Sequence, residues 1–132
     1  MFTTSATINY RHDPDGSWIT AWMDNNILNY YHSLIPKYYR VNKPRWKAHA
    51  TIARPEEGPF NMGVWGMHEG KLAQIVYDPM LHEERGIWWI SLWSVELEQV
   101  RLDMNLSIRS RITKPPSSKF SKCFHCTVGM NF

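Results

Sequence analysis

The stretch KAHATIA, Lys47 to Ala53, decides how this chain is read. Alternate residues of a β-strand face opposite ways. Read so, Ala48, Ala50 and Ile52 form an apolar face, and Lys47, His49 and Thr51 form a polar one. A second stretch, CFHCTVG from Cys123 to Gly129, repeats the scheme. Phe124, Cys126 and Val128 fall on one side, and Cys123, His125 and Thr127 on the other. Each stretch buries one face and presents a histidine and a threonine together on the opposite face. With 17 serines and threonines in the chain, the bare His-x-Thr pattern is weak, and the surrounding element order must carry it.

Working outward, Ser5–Tyr10 reads as a strand with Ala6, Ile8 and Tyr10 on one face. The turn cluster HDPDG, His12 to Gly16, joins it to a partner strand over Ser17–Met23. From Asp24 the period becomes helical: Ile27, Leu28, Tyr31, Leu34, Ile35 and Tyr38 recur at helix spacing, with Asp24 or Asn25 as N-cap. Pro36 ends this helix near Leu34 or Ile35. The first motif strand spans Trp46–Arg54, followed by a loop over Arg54–Gly63. Strands are expected over Lys71–Tyr77 and Ile87–Trp93, with a loop over Asp78–Gly86 between them. Ser94 caps a second helix whose apolar stripe is Leu97, Val100 and Met104, with Glu96, Gln99 and Asp103 facing water. A Pro-rich loop, Thr113–Lys119, precedes the last strand, Cys123 to about Met130. Strand, helix and motif strand thus occur twice. This order predicts an α+β fold of two pseudo-symmetric lobes of antiparallel strands, each with a helix, around a central cleft carrying both motifs.

The 132 residues fit a single domain, 1–132, with room for one compact core. A net charge of +3 is mildly basic and suits an anionic ligand such as a nucleotide. No dense Lys/Arg run is present, which argues against duplex DNA as a partner. Two cysteines make no disulfide framework, and no apolar run approaches the ~20 residues of a membrane span. A reduced cytoplasmic setting, no membrane partner, and a monomer or weak oligomer are the expectations. Aromatic residues are abundant: 7 Trp, 6 Tyr and 5 Phe. Most belong in the core, and some are free to stack on bases.

Two histidines with two threonines suit phosphodiester cleavage. One imidazole removes a proton from the attacking hydroxyl or water, and the other donates one to the leaving oxygen. The threonine hydroxyls donate to the non-bridging phosphate oxygens as charge grows there. This scheme needs no metal and no cofactor. His12, His32, His68 and His82 read as structural histidines. The second motif also contains C-x-x-C, a pattern that elsewhere binds zinc. On a strand its two thiols point to opposite faces, and no second Cys pair exists.

The pair HATI, His49–Ile52, and HCTV, His125–Val128, resembles the H-x-T/S-φ signature of the two-histidine (2H) phosphoesterase superfamily. Motif separation and element order are similar too, so the resemblance covers nearly the whole chain. It implies catalysis by His49 and His125 and phosphate binding by Thr51 and Thr127. It also implies a nucleotide substrate: a 2′,3′-cyclic phosphate, a 2′–5′ linkage or a cyclic nucleotide. The stretch VWGMHEGKLAQIVYD, Val64–Asp78, is similar to the matching segment of small phage members that degrade the cyclic di- and trinucleotide signals of bacterial CBASS defence. That branch implies attack by the ribose 2′-hydroxyl on the neighbouring phosphate, and residence in a host cytoplasm. The insertion PMLHEERGIWW, Pro79–Trp89, departs from the pattern. Further substrate contacts are expected from Tyr10, beside the motif strands, from Trp65, which can stack on a base, and from Lys47 and Arg54 near His49. The rival of another class is a protein that binds a nucleotide signal without cutting it; two complete acid–base motifs argue against it.

Overall fold

The computed structural model describes residues 1–109 and 115–131. Its elements are β1 (Phe2–Asp13), β2 (Gly16–Trp22), α1 (Asn25–Ser33), β3 (His49–Ala53), β4 (Leu72–Tyr77), β5 (His82–Glu84), β6 (Ile87–Trp93), α2 (Val95–Asp103) and β7 (Phe124–Met130). The class is α+β. One seven-stranded sheet has the order β4-β1-β2-β3-β7-β6-β5, and every pairing is antiparallel. A further pairing of β4 with β6, at Val76↔Trp93 and Tyr77↔Leu92, closes six of these strands into a ring. The two motif strands, β3 and β7, are neighbours in mid-sheet.

The core lies on one face of the strands. Ile8, Ile19, Ala21, Ala50, Ile52, Phe124, Cys126, Val128, Ile90 and Leu92 are all buried. The helices cover this apolar face. Helix α1 starts where Asp24 Oδ1 accepts from the Asn26 amide at 2.9 Å, buries Leu28 and Tyr31, and packs on β7. Helix α2 starts where Ser94 Oγ accepts from the Leu97 amide at 3.3 Å. Its Leu97, Val100 and Met104 are buried, and it packs on β3 and β4. Each helix therefore covers a motif strand from behind, leaving the His/Thr side open.

Several boundaries differ from the sequence expectation. The first strand continues past Tyr10 to Asp13, because its hairpin partner β2 supplies ladder pairs as far as Asp13↔Gly16. The first motif strand is shorter, starting at His49 rather than Trp46. The loop over Asp78–Gly86 contains β5, an edge strand paired to β6 at His82↔Trp89. The insertion Pro79–Trp89 is thus a hairpin added at the sheet's edge. Glu98, unremarked in the stripe of α2, and Arg101 are buried at 6% and 5% exposure. Of the expected loop Thr113–Lys119, Thr113 and Lys114 lie outside the described residues. Among the described residues, no helix is long and apolar enough to cross a membrane.

Two glycines are required by close approach. Gly16, at φ +129°, lies against Pro55, where a Cβ would meet the proline ring at 2.5 Å. This holds the tip of the β1–β2 hairpin against the turn Pro55–Glu57 that follows β3. At Gly129 a Cβ would meet Val41 at 2.5 Å and Ile35 at 2.8 Å, so the end of β7 accepts the chain leaving α1.

Candidate active site

The register of the motif strands builds the site. Ala50 is paired with Cys126 across the antiparallel β3–β7 ladder. One step outward on either side sets His49 across from Thr127, and Thr51 across from His125. Directly opposed residues share a sheet face. The four side chains therefore form a crosswise block, with each histidine beside the other motif's threonine. They line one cleft of about 620 Å³ together with Arg11, Asp13, Pro14, Asp15, Trp18, Trp46 and Arg54.

The surroundings of the two histidines differ. His49 Nδ1 lies 2.7 Å from the Lys47 carbonyl oxygen, which can only accept. The proton of neutral His49 therefore sits on Nδ1, and Nε2 keeps its lone pair. Burial lowers the His49 pKa below its usual 6.5; the bond to Lys47 opposes this shift, and nearby Arg11 adds to it. The Trp22 ring, across the ladder from His49, lies 5.1 Å from the imidazole. His125 reaches solvent through the cleft mouth, yet the protein crowded around it lowers its pKa as well. Positive charge from Arg54, His49 and Lys122 pushes in the same direction. Trp89 stands edge-on to it at 6.5 Å. Both rings are therefore mainly neutral at pH 7, and an arriving phosphate, by supplying negative charge, raises the pKa of either.

The charged walls of the cleft differ in how they are paired. At the hairpin end, Arg11 is paired with Asp13 at 2.7 Å, and Asp15 accepts from the Trp18 indole N–H at 3.3 Å. The guanidinium of Arg11 also lies 5.5 Å from the Trp18 ring. Arg54, next to Pro55 in the turn that follows β3, has no carboxylate within 4.0 Å among the described residues. Its backbone is fixed by a 3.0 Å bond from its amide to Glu57 Oε1.

The sequence-predicted residues separate into two groups. His49, Thr51, His125, Thr127 and Arg54 come together in the cleft. Tyr10 does not: it shares the parity of Ala6 and Ile8, is 8% exposed, and its hydroxyl accepts from the His68 amide at 3.4 Å. Trp65 packs on that same side, 5.1 Å from Tyr10, 4.8 Å from His12 and 5.8 Å from Phe60. Both rings serve packing on the helix-covered face. Lys47 approaches the site through its carbonyl rather than its ammonium. Of the two thiols, Cys126 is in the core, where burial pushes it up to about 11, while Cys123 borders a small pocket beside His125.

Reading the sequence missed Arg11, Asp13, Asp15, Trp18 and Trp46. The signal for Arg11 was parity: two residues beyond Asn9 and opposite Trp18, it falls on the polar side once β1 is extended. The other four histidines have separate surroundings. His12 bonds Ser17 Oγ at 2.6 Å, His32 the Val41 carbonyl at 2.8 Å and His68 Asp103 Oδ2 at 2.7 Å, while His82 stacks on Trp89. No family model, curated protein or solved structure matches this chain.

Proposed function

We infer that this protein is a phosphodiesterase that works by histidine–histidine acid–base catalysis. The observation that carries the reading is the crosswise register, which sets two imidazoles and two hydroxyls around one position in one cleft. His49 is the base, because its Nδ1 is engaged with Lys47 and its Nε2 lone pair remains available. His125 is the acid, since the phosphate charge that enters beside it restores its proton. Thr51 and Thr127 donate to the non-bridging oxygens, and Arg54 stabilises the developing charge. The exposed Trp46 and the partly buried Trp18 offer faces for nucleobases.

The similarity to 2H phosphoesterases supports two pseudo-symmetric halves meeting between β3 and β7, each bringing one histidine. It also supports a cyclic di- or trinucleotide as substrate, cleaved when a ribose 2′-hydroxyl attacks the adjacent phosphate. In that reading the protein removes the second messengers of bacterial CBASS defence on behalf of a phage. The test is incubation in EDTA with 3′,3′-cyclic dinucleotides, cyclic trinucleotides, 2′–5′ oligoadenylate and 2′,3′-cyclic mononucleotides, with products read by chromatography. Turnover lost in His49→Ala and in His125→Ala is expected. Turnover of none of them, or turnover indifferent to both substitutions, overturns the enzymatic reading. Cleavage of 2′,3′-cyclic ends alone moves the assignment to RNA-end processing.

A further inference from the structure

A second, smaller pocket opens beside the catalytic cleft. Its volume is about 170 Å³, and it shares Thr51, Arg54 and His125 with the cleft. Its other charged walls are Glu57, Arg101 and Lys122. Ligand pockets for whole small molecules start near ~300 Å³, so this one suits a single compact group rather than a nucleoside.

Helix α2 constructs the pocket with the two charges that it buries. Arg101 donates from Nη1 to the Ile52 carbonyl at 2.7 Å, from Nε to the Ser107 carbonyl at 2.8 Å, and from Nη2 to Glu57 at 2.8 Å. It thereby fixes the end of β3 and the turn after it. Glu98 Oε2 accepts from the amides of Ser121 at 2.9 Å and Lys122 at 3.2 Å, which fixes the entry to β7. The two walls are thus pinned to one helix. Within the pocket the Glu57 carboxylate is neutralised by Arg101. Arg54 and Lys122 have no carboxylate within 4.0 Å among the described residues, which leaves an excess of positive charge. The Lys122 ammonium is held near the Phe124 ring, 5.7 Å from its centre. Burial and the neighbouring Arg101 lower its pKa, and an anion entering the pocket would oppose that shift.

Building on the phosphodiesterase reading, we propose that this pocket is an anion subsite for a second phosphate of the substrate, next to the one being cleaved. Arg54 bridges the two positions. The preferred substrate therefore carries at least two phosphates one nucleotide apart, as cyclic and linear oligonucleotides do and a 2′,3′-cyclic mononucleotide does not.

The test uses the full-length protein and 2′-deoxy dinucleotides, which lack the attacking hydroxyl. One has a single phosphodiester; two others carry an added phosphate at the 5′ or the 3′ end. Calorimetry should show one phosphorylated form binding about tenfold tighter than the plain dinucleotide. Lys122→Gln should abolish that preference while leaving binding of the plain dinucleotide intact, and Lys122→Arg should retain it. Equal binding of all three by the wild-type protein, or an equal loss for all three in Lys122→Gln, overturns the subsite. Inorganic phosphate binding as tightly as the phosphorylated dinucleotide makes the pocket a free-anion site and also overturns the proposal. Turnover of the ribose forms is followed separately. A preserved phosphate preference without turnover supports the subsite and removes the hydrolytic reading; turnover without the preference does the reverse.

Discussion

His49 and His125 occupy the same place in the same motif on neighbouring strands, yet their surroundings prepare them for different work. His49 is tied at Nδ1 to a backbone carbonyl, faces Trp22 and lies near an arginine whose charge is shared with Asp13. His125 opens to the cleft mouth and lies near Arg54 and Lys122, which have no carboxylate partners among the described residues. A shared motif supplies the functional groups. On the phosphodiesterase reading, the flanking strands and loops then decide which ring accepts a proton and which one donates it.

The comparison breaks most sharply on leaving-group chemistry. Either histidine changed to alanine should cost about 10²–10⁴ in kcat on a nucleotide substrate. On a nucleoside 3′-(p-nitrophenyl phosphate), whose leaving group departs without a proton, His125→Ala should recover most of its rate and His49→Ala should not. Recovery in His49→Ala instead would exchange the two roles. Next in size are the hydroxyls. Thr51→Val and Thr127→Val should each lower kcat by about 10²-fold, with circular dichroism unchanged.

The pH dependence sharpens the same contrast. Both imidazoles titrate below 6.5 in the free protein. The form with one ring protonated and one neutral is therefore most populated on the acid side of 6.5, and kcat/KM should peak there. A peak on the alkaline side would contradict the directions of both shifts. Arg11→Gln should raise the His49 pKa and leave His125 alone, while Arg54→Gln should do the opposite, as followed by NMR titration of the ring protons. The smallest effect belongs to Lys47→Ala. Its carbonyl stays in place, so activity should hold within about twofold, the range of a neutral surface change.

The central geometry was legible because strand parity is a strict rule. The alternation in KAHATIA and CFHCTVG separated Ala50 and Cys126 from His49 and His125, and the observed ladder pairs those two core residues. Both helix caps were readable too, since Asp24 and Ser94 each precede a change to helical period. Parity applied to β1 would also have sent Tyr10 to the core with Ile8 and Arg11 to the cleft. The apolar run stopped at Tyr10, and the polar residues beyond it, Arg11 to Asp13, held their strand only through pairing with β2. The edge strand His82–Glu84 was hidden for a related reason: its residues do not favour strands, and the pairing to β6 sustains it. Glu98 and Arg101 drew no reading from the sequence, because a sequence does not display which buried carbonyls and amides a charge will meet.

The pairing of Ala50 with Cys126 has a consequence for motion. The two motif strands are interior members of a closed ring, with helices behind them and no free edge between them. Their amides should therefore exchange with solvent only when the whole protein unfolds, at the slowest rates in the molecule. If the cleft is catalytic as proposed, activity and global stability should be lost at one denaturant concentration. Any movement that admits the proposed substrate should therefore come from the rim, such as the chain around Trp46, while the His/Thr floor stays still.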